Sequence, residues 1–178
     1  METAQARPTL GQVMAMEMEM EAATARKMLE RLPEDKFEWQ PHEKSMTLGR
    51  LSGHVAETFE WTAATILQDE LDFSKMDYNA EPATSTAGLL EKFDAGIKAA
   101  LEILNGVSDE DIMKPWTMRD GEKVYMTMPK VAVMRGFVIS HMIHHRGQLS
   151  TYYRHMGVRN PQIYGPAAED MEEMHSKS

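Results

Sequence analysis

At 178 residues, 42% of them apolar and with charges of both signs, the chain has the size and composition of one soluble globular domain with a single core. A net charge of −9 and a pI near 5.3 argue against nucleic-acid and anionic-membrane partners, which select clustered Lys and Arg. The absence of cysteine excludes disulfides, thiolate metal sites and a cysteine nucleophile.

The first residues, METAQARPTLGQ, have neither the basic start nor the apolar stretch of a secretory signal. No run approaches the roughly 18 apolar residues of a membrane helix, so a cytoplasmic location is expected. The 17 methionines suit an adaptable helical core better than a redox role.

The eight prolines leave long gaps at 9–32, 42–81, 83–114 and 130–160. An interior proline costs a helix about 3 kcal/mol, so four long helices fit these gaps. There is no internal repeat, low-complexity linker or compositional break. The expectation is therefore one domain over 1–178, all-α, built as a four-helix bundle with its core at about 10–168 and a flexible polar tail at 169–178.

In the first window, MAMEMEMEAATARKMLERL alternates Met and Glu with period two, which alone would suggest a strand. Met, Glu and Ala favour helix, however, and Met14, Met18, Ala25, Met28 and Leu32 share one helical face. The second helix is expected from a cap at Ser45 or Thr47 to about Gln68. Its inward stripe is Leu48, Leu51, Val55, Thr58, Phe59, Thr62 and Ile66.

LDFSKMDYNAEPATST then reads as a loop ending in a hydroxyl cap, Ser85 or Thr86. The third helix, about 87–105, turns Leu89, Leu90, Phe93, Ile97, Leu101 and Leu104 inward, and Gly106 is placed to end it in the left-handed conformation. SDEDIMKP reads as one helical turn with Ser108 and Asp111 at capping-box spacing. In WTMRDGEKVYM, alternation on both sides of Asp120-Gly121 predicts a short ribbon or extended loop between the third and fourth helices. Pro129 suits the first turn of the fourth helix, which should run to about Met156 before Gly157.

That last helix carries HMIHHRGQLS, with three of the chain's seven histidines at 141–145. Stepping from Val131 by heptads gives a seam of Val131, Met134, Val138, His141, His145, Gln148 and Tyr152. An i, i+4 histidine pair lies on one face, a spacing at which two imidazoles can share a metal ion. Buried imidazoles without partners cost on the order of 1–3 kcal/mol per unpaired group. A cation accepting both inward lone pairs removes that cost, and so do ordinary hydrogen bonds. Both readings stay open at this level.

A metal needs a further ligand, and His54, in LGRLSGHVAETFEW on the stripe of the second helix, is the candidate. His42 beside Pro41, His155 at a helix end and His175 in the tail read as surface residues. His144 lies one step off the axis of the pair.

HMIHHRGQLSTYYRHMG, the following NPQIYGP and the upstream LGRLSGHVAE together resemble the DinB-like family of four-helix proteins over about residues 10–168. The resemblance implies one divalent metal ion, often zinc or nickel, held by three histidines, which correspond here to His54, His141 and His145. His144 matches no ligand position. The resemblance also implies a homodimer, and an activity related to thiol-dependent S-transferases with a low-molecular-weight thiol as cosubstrate.

Three imidazoles plus solvent make an open site of the catalytic kind, since structural zinc is usually closed by four protein ligands. Such an ion activates a bound water or holds a thiol as thiolate. Thiol transfer to small electrophilic substrates is the favoured expectation, with hydrolysis as the alternative. A non-catalytic metal-stabilised stress protein and a plain helical interaction module are the other classes.

Glu57, one turn after His54, is a candidate to orient that ring, against the plainer reading of a solvated carboxylate. Gln148 and Tyr152 are candidates to line the pocket, and Trp61, Trp116 and Tyr153 to wall it, each set against ordinary core packing. Arg146 is expected to face away from the pair and form a structural ion pair. The sequence has neither a glycine-rich phosphate loop nor a serine nucleophile in a suitable turn, and no catalytic side chain is assigned.

Overall fold

The structure, a computed structural model, describes residues 7–77 and 82–176. Helix α1 spans Leu10–Leu29. Thr9 Oγ1 accepts from Gln12 N at 3.2 Å while Gln12 Oε1 accepts from Thr9 N at 2.9 Å, a reciprocal cap that satisfies two otherwise orphaned donors. Met14 and Met18 are buried, whereas Met16 and Met20 are 62% and 72% exposed. The Met/Glu alternation therefore distributes methionines to opposite faces of a helix, because a two-residue step turns roughly 200°. Gly11 permits a close crossing with the next long helix but one, since a Cβ there would sit 2.3 Å from the Leu104 carbonyl oxygen.

Helix α2, Leu48–Glu57, is capped by Thr47, whose Oγ1 accepts from Arg50 N at 3.2 Å. It does not run unbroken to Gln68. A 3-10 turn at Thr58–Glu60 intervenes before α3, Trp61–Ile66, with Thr58 Oγ1 donating to the Val55 carbonyl at 2.9 Å. That local bond offers the backbone an alternative to a regular helical turn. The expected stripe from Leu48 to Ile66 is nonetheless buried throughout.

The expected loop after α3 contains a strand, β1, Glu70–Asp72, followed by a 3-10 turn; its portion at 78–81 lies outside the described residues. Helix α4 spans Thr86–Gly106, with Ser85 Oγ accepting from Gly88 N at 3.1 Å. Leu89, Phe93, Ala100 and Leu104 are buried, while Leu90, Ile97 and Leu101 pack half-buried against them. Gly106 stays helical and Val107 leaves in an extended conformation, so the left-handed stop expected there is absent. One further turn, α5, Asp109–Ile112, is capped by Ser108.

Strands β2, Pro115–Asp120, and β3, Lys123–Pro129, form the antiparallel hairpin, and β1 adds to β2 in parallel, giving the order β1-β2-β3. Asp120 pairs with Lys123, which places Gly121-Glu122 at the turn, one residue beyond the expected pair; Gly121 has φ 56°, which glycine adopts without steric cost. The all-α expectation is thereby corrected to a mostly helical chain with a small three-stranded sheet. Asp72 clamps the sheet, its Oδ1 accepting from Ser74 Oγ at 2.7 Å and Gly121 N at 2.9 Å. These bonds, that from Ser74 first, hold its carboxyl well below the usual carboxylate range.

After Pro129, which flanks the helix and does not occupy its first turn, come α6, Lys130–Val133, a π-helical segment Met134–Ile139, and α7, Ser140–Met156. Gly157 ends α7 with φ 71°. The tail expected to be flexible is helical as far as 176. Helix α8, Ala168–Ser176, is tied back by Arg154 to Glu169 and by Arg159 to Asp170 and Glu173, with 177–178 outside the described residues. Helix α1 packs on α4 and α7, and α2 packs on the same two, while the sheet lies against α3 and α6. Among the described residues no helix is long and apolar enough to cross a membrane.

Candidate metal centre

His54 lies on the buried face of α2, where that helix packs against α7, and His141 and His145 stand one turn apart on α7. His54 Nε2 is 2.9 Å from His141 Nε2, which is 3.0 Å from His145 Nε2. One nitrogen from each of the three rings falls within 4.8 Å of the others, an arrangement that can hold a metal ion.

The π-helical segment sets the orientation of the pair. It carries one extra residue per turn and so rotates everything after it relative to a regular helix. The seam counted from Val131 is accordingly offset. Val131 is half-buried, and the inward line runs Met134, Val138, Met142, His145, Leu149 and Tyr152, with His141 half-buried at its edge. Gln148 is exposed and not in the seam, and Arg146 lies outside the convergent group, buried at 1% exposure in the expected ion pair, with Glu21.

The protons around the three rings can be assigned from their partners. His54 Nδ1 donates to the Glu57 carboxylate, which cannot donate in return, so in the neutral ring Nε2 carries a lone pair. His145 Nδ1 donates to Gln148 Oε1 at 2.7 Å, which leaves its Nε2 likewise a bare acceptor. Both acceptors face His141 Nε2, which has at most one proton to share. Two or three lone pairs thus converge on one point. Protonation is opposed there: burial first, and then the neighbouring imidazoles, push His141 down to about 4, and burial lowers His145 against the opposing Gln148 bond. The neutral donor set fits a cation.

Around this point, Trp61 lies with its ring centroid 5.0 Å from that of His141 and 5.6 Å from that of His54, forming an aromatic wall. Glu57, set against a solvated reading in the sequence, is buried and also accepts from Arg50 Nη2 at 3.0 Å. Arg50, His54 and Glu57 follow at i, i+4 and i+7, one face of α2. That spacing was a readable sign of the arginine, which sequence reasoning passed over.

Other candidates lie elsewhere. Tyr152 donates to the Met46 carbonyl at 3.0 Å and packs edge-on against Trp39. Trp116 donates to the Ala64 carbonyl at 3.0 Å and Tyr153 to the Met28 carbonyl at 2.5 Å, both as core residues. His144 is exposed, its ring edge-on to His145 and outside the convergent group. His42, His155 and His175 are exposed. Arg146 forms an ion pair with Glu21 at 2.7 Å and donates to Tyr164 Oη at 2.6 Å, tying α7 to α1 and to the segment after it.

The model of the DinB family matches residues 5–177. In sequence the chain is similar to the uncharacterized protein YrdA of Bacillus subtilis (strain 168), 24% identical over 152 residues, or 85% of this chain and 86% of that protein. In structure it is similar to a DinB-like protein from Bacillus cereus ATCC 10987, with a TM-score of 0.65, 20% identity, and 85% of this chain and 95% of that one covered. It is also similar to the DinB-like protein YjoA of Bacillus subtilis, with a TM-score of 0.66, 18% identity, and 86% and 97% covered.

Proposed function

The chain belongs to the DinB family, and from that premise we propose that His54, His141 and His145 hold one divalent metal ion, zinc or nickel, in an enzyme that transfers a low-molecular-weight thiol to small electrophilic substrates. The observation carrying this reading is the convergence of three Nε2 atoms, His141 Nε2 lying 2.9 Å from that of His54 and 3.0 Å from that of His145. Imidazole donors suit zinc and nickel alike. On the same reading α1, α2 with α3, α4, and α6 with α7 make a four-helix bundle carrying the sheet, in a cytoplasmic homodimer.

A divalent ion bound by three neutral ligands would supply Lewis-acid chemistry, lowering the pKa of a thiol or water in its open position. The chain's own residues prepare that position. Glu57 and Gln148 hold the Nδ1 protons of His54 and His145, which fixes both tautomers and turns both Nε2 lone pairs to the same point. Trp61 sets an apolar ring against His54 and His141 on one side of that position. In the transfer the thiol gives its proton to solvent, its sulfur forms a bond to an electrophilic carbon, and the leaving group departs with the electron pair of the bond that breaks.

Cobalt-substituted protein provides the test. A visible spectrum that shifts on addition of small thiols, with consumption of an electrophile only when thiol is present, is the expected result. Indifference to every thiol together with turnover in water alone would replace transfer by hydrolysis.

A further inference from the structure

Away from the three histidines, a cleft of about 420 Å³ opens where the end of α1 meets the segment following α7. Its wall includes Lys27, Arg31, Arg159, Gln162 and Asp170. Arg31 Nη1 donates to the Arg159 carbonyl at 3.1 Å, which fixes that segment against α1. The acid on the wall is already engaged: Asp170 pairs with Arg159, which also reaches Glu173 at 2.6 Å. Nearby Glu30 is taken by Arg26.

Lys27 and Arg31 are left, one turn apart and, among the described residues, in no ion pair. This is notable in a chain with 28 acidic and 19 basic residues. Like charges at i, i+4 repel, and a bound anion relieves the repulsion. Lysine offers a point charge and arginine a planar fork of donors, a combination suited to phosphate oxygens.

We propose that this cleft binds a small soluble phosphate monoester, its dianion matched by the two unpaired cations and its polar body lying against Gln162. The volume falls within the range of roughly 300–1,000 Å³ typical of small-molecule sites.

The test is amide NMR of the full chain titrated with inorganic phosphate and with glycerol 2-phosphate, against sodium chloride at equal ionic strength. Saturable shifts are expected at 27–31 and 158–162 but not at 141–148. Affinity should fall about tenfold or more in Lys27→Gln/Arg31→Gln. Both side chains are exposed, so the variant should keep the parent's circular dichroism. Shifts that chloride reproduces would reduce the two cations to partners of the α1 helix dipole and overturn the proposal. Unchanged affinity in the double variant would overturn it as well. The parent titration alone decides the matter if the variant does not fold.

Discussion

Replacing Glu57 by Gln tests whether the group behind His54 tunes the metal site. The side chain is 9% exposed and accepts from His54 Nδ1 and from Arg50 Nη2. Glutamine keeps the shape and can still accept the Nδ1 proton through its amide oxygen, but it loses the charge. Charge-assisted hydrogen bonds are roughly twice as strong as neutral ones, and losing a group that supports a ligand histidine weakens metal binding by about 10–100-fold. That range corresponds to about 1.4–2.7 kcal/mol.

Metal-free protein should also be destabilised, because the Arg50 guanidinium loses its charged contact with the Glu57 carboxylate. Arg50 retains 20% exposure, so the cost falls below that of a fully buried pair, at about 1–2 kcal/mol. For a chain of this size that is about 2–8 °C in melting temperature. Competition with a chromophoric chelator at neutral pH measures the affinity, and thermal unfolding of metal-free protein measures the stability. One ion per chain should still bind. A folded variant whose affinity stays within about threefold of the parent would refute the role assigned to the carboxylate.

Arg146→Met removes a guanidinium bonded to the Glu21 carboxylate, the Glu21 carbonyl, Thr24 and Tyr164, and leaves Glu21 without its cation. The expected cost is about 3–5 kcal/mol, or about 6–20 °C in melting temperature; adding Glu21→Met should recover part of it, and a lack of recovery would contradict the pairing. The depressed pKa of His141, about 4 against an ordinary 6.5, predicts a pH effect in metal-free protein. As pH falls from 6.5 towards 4 the unfolded chain takes up a proton that the folded chain refuses, so denaturant stability should be level above that window and decline within it. Imidazole NMR should place the His141 titration near pH 4, and a midpoint near 6.5 would show that the ring is not desolvated.

Where burial repeats at helical spacing, the sequence was legible: the stripe from Leu48 to Ile66, the inward methionines of α1 and the cap at Ser108 followed from pattern and local chemistry, while the choice of Thr47 over Ser45 and of Ser85 over Thr86 came only with the structure. Strand β1 was hidden because three residues are too few to display a period, and its pairing with β2 depends on chain distant in sequence. The π-helical segment was hidden for a different reason. No residue type signals it, and its effect is a rotation that brings Leu149 into the inward line and leaves Gln148 exposed. His141 and His145, being i, i+4, turn together as one face, and the rotation leaves that face directed at His54 on α2. The partners of Arg146 on α1 and in the segment after α7 are long-range contacts with no local trace.

The most direct measurement is metal content in protein purified without added metal, for the parent, His141→Ala and His144→Ala in parallel. The parent and His144→Ala should each carry close to one ion per chain, and His141→Ala should carry little, since the ring between His54 and His145 is gone while the neighbouring exposed ring takes no part. Equal metal in the parent and His141→Ala, or its loss from His144→Ala alone, would contradict the assignment of the three converging rings as the site.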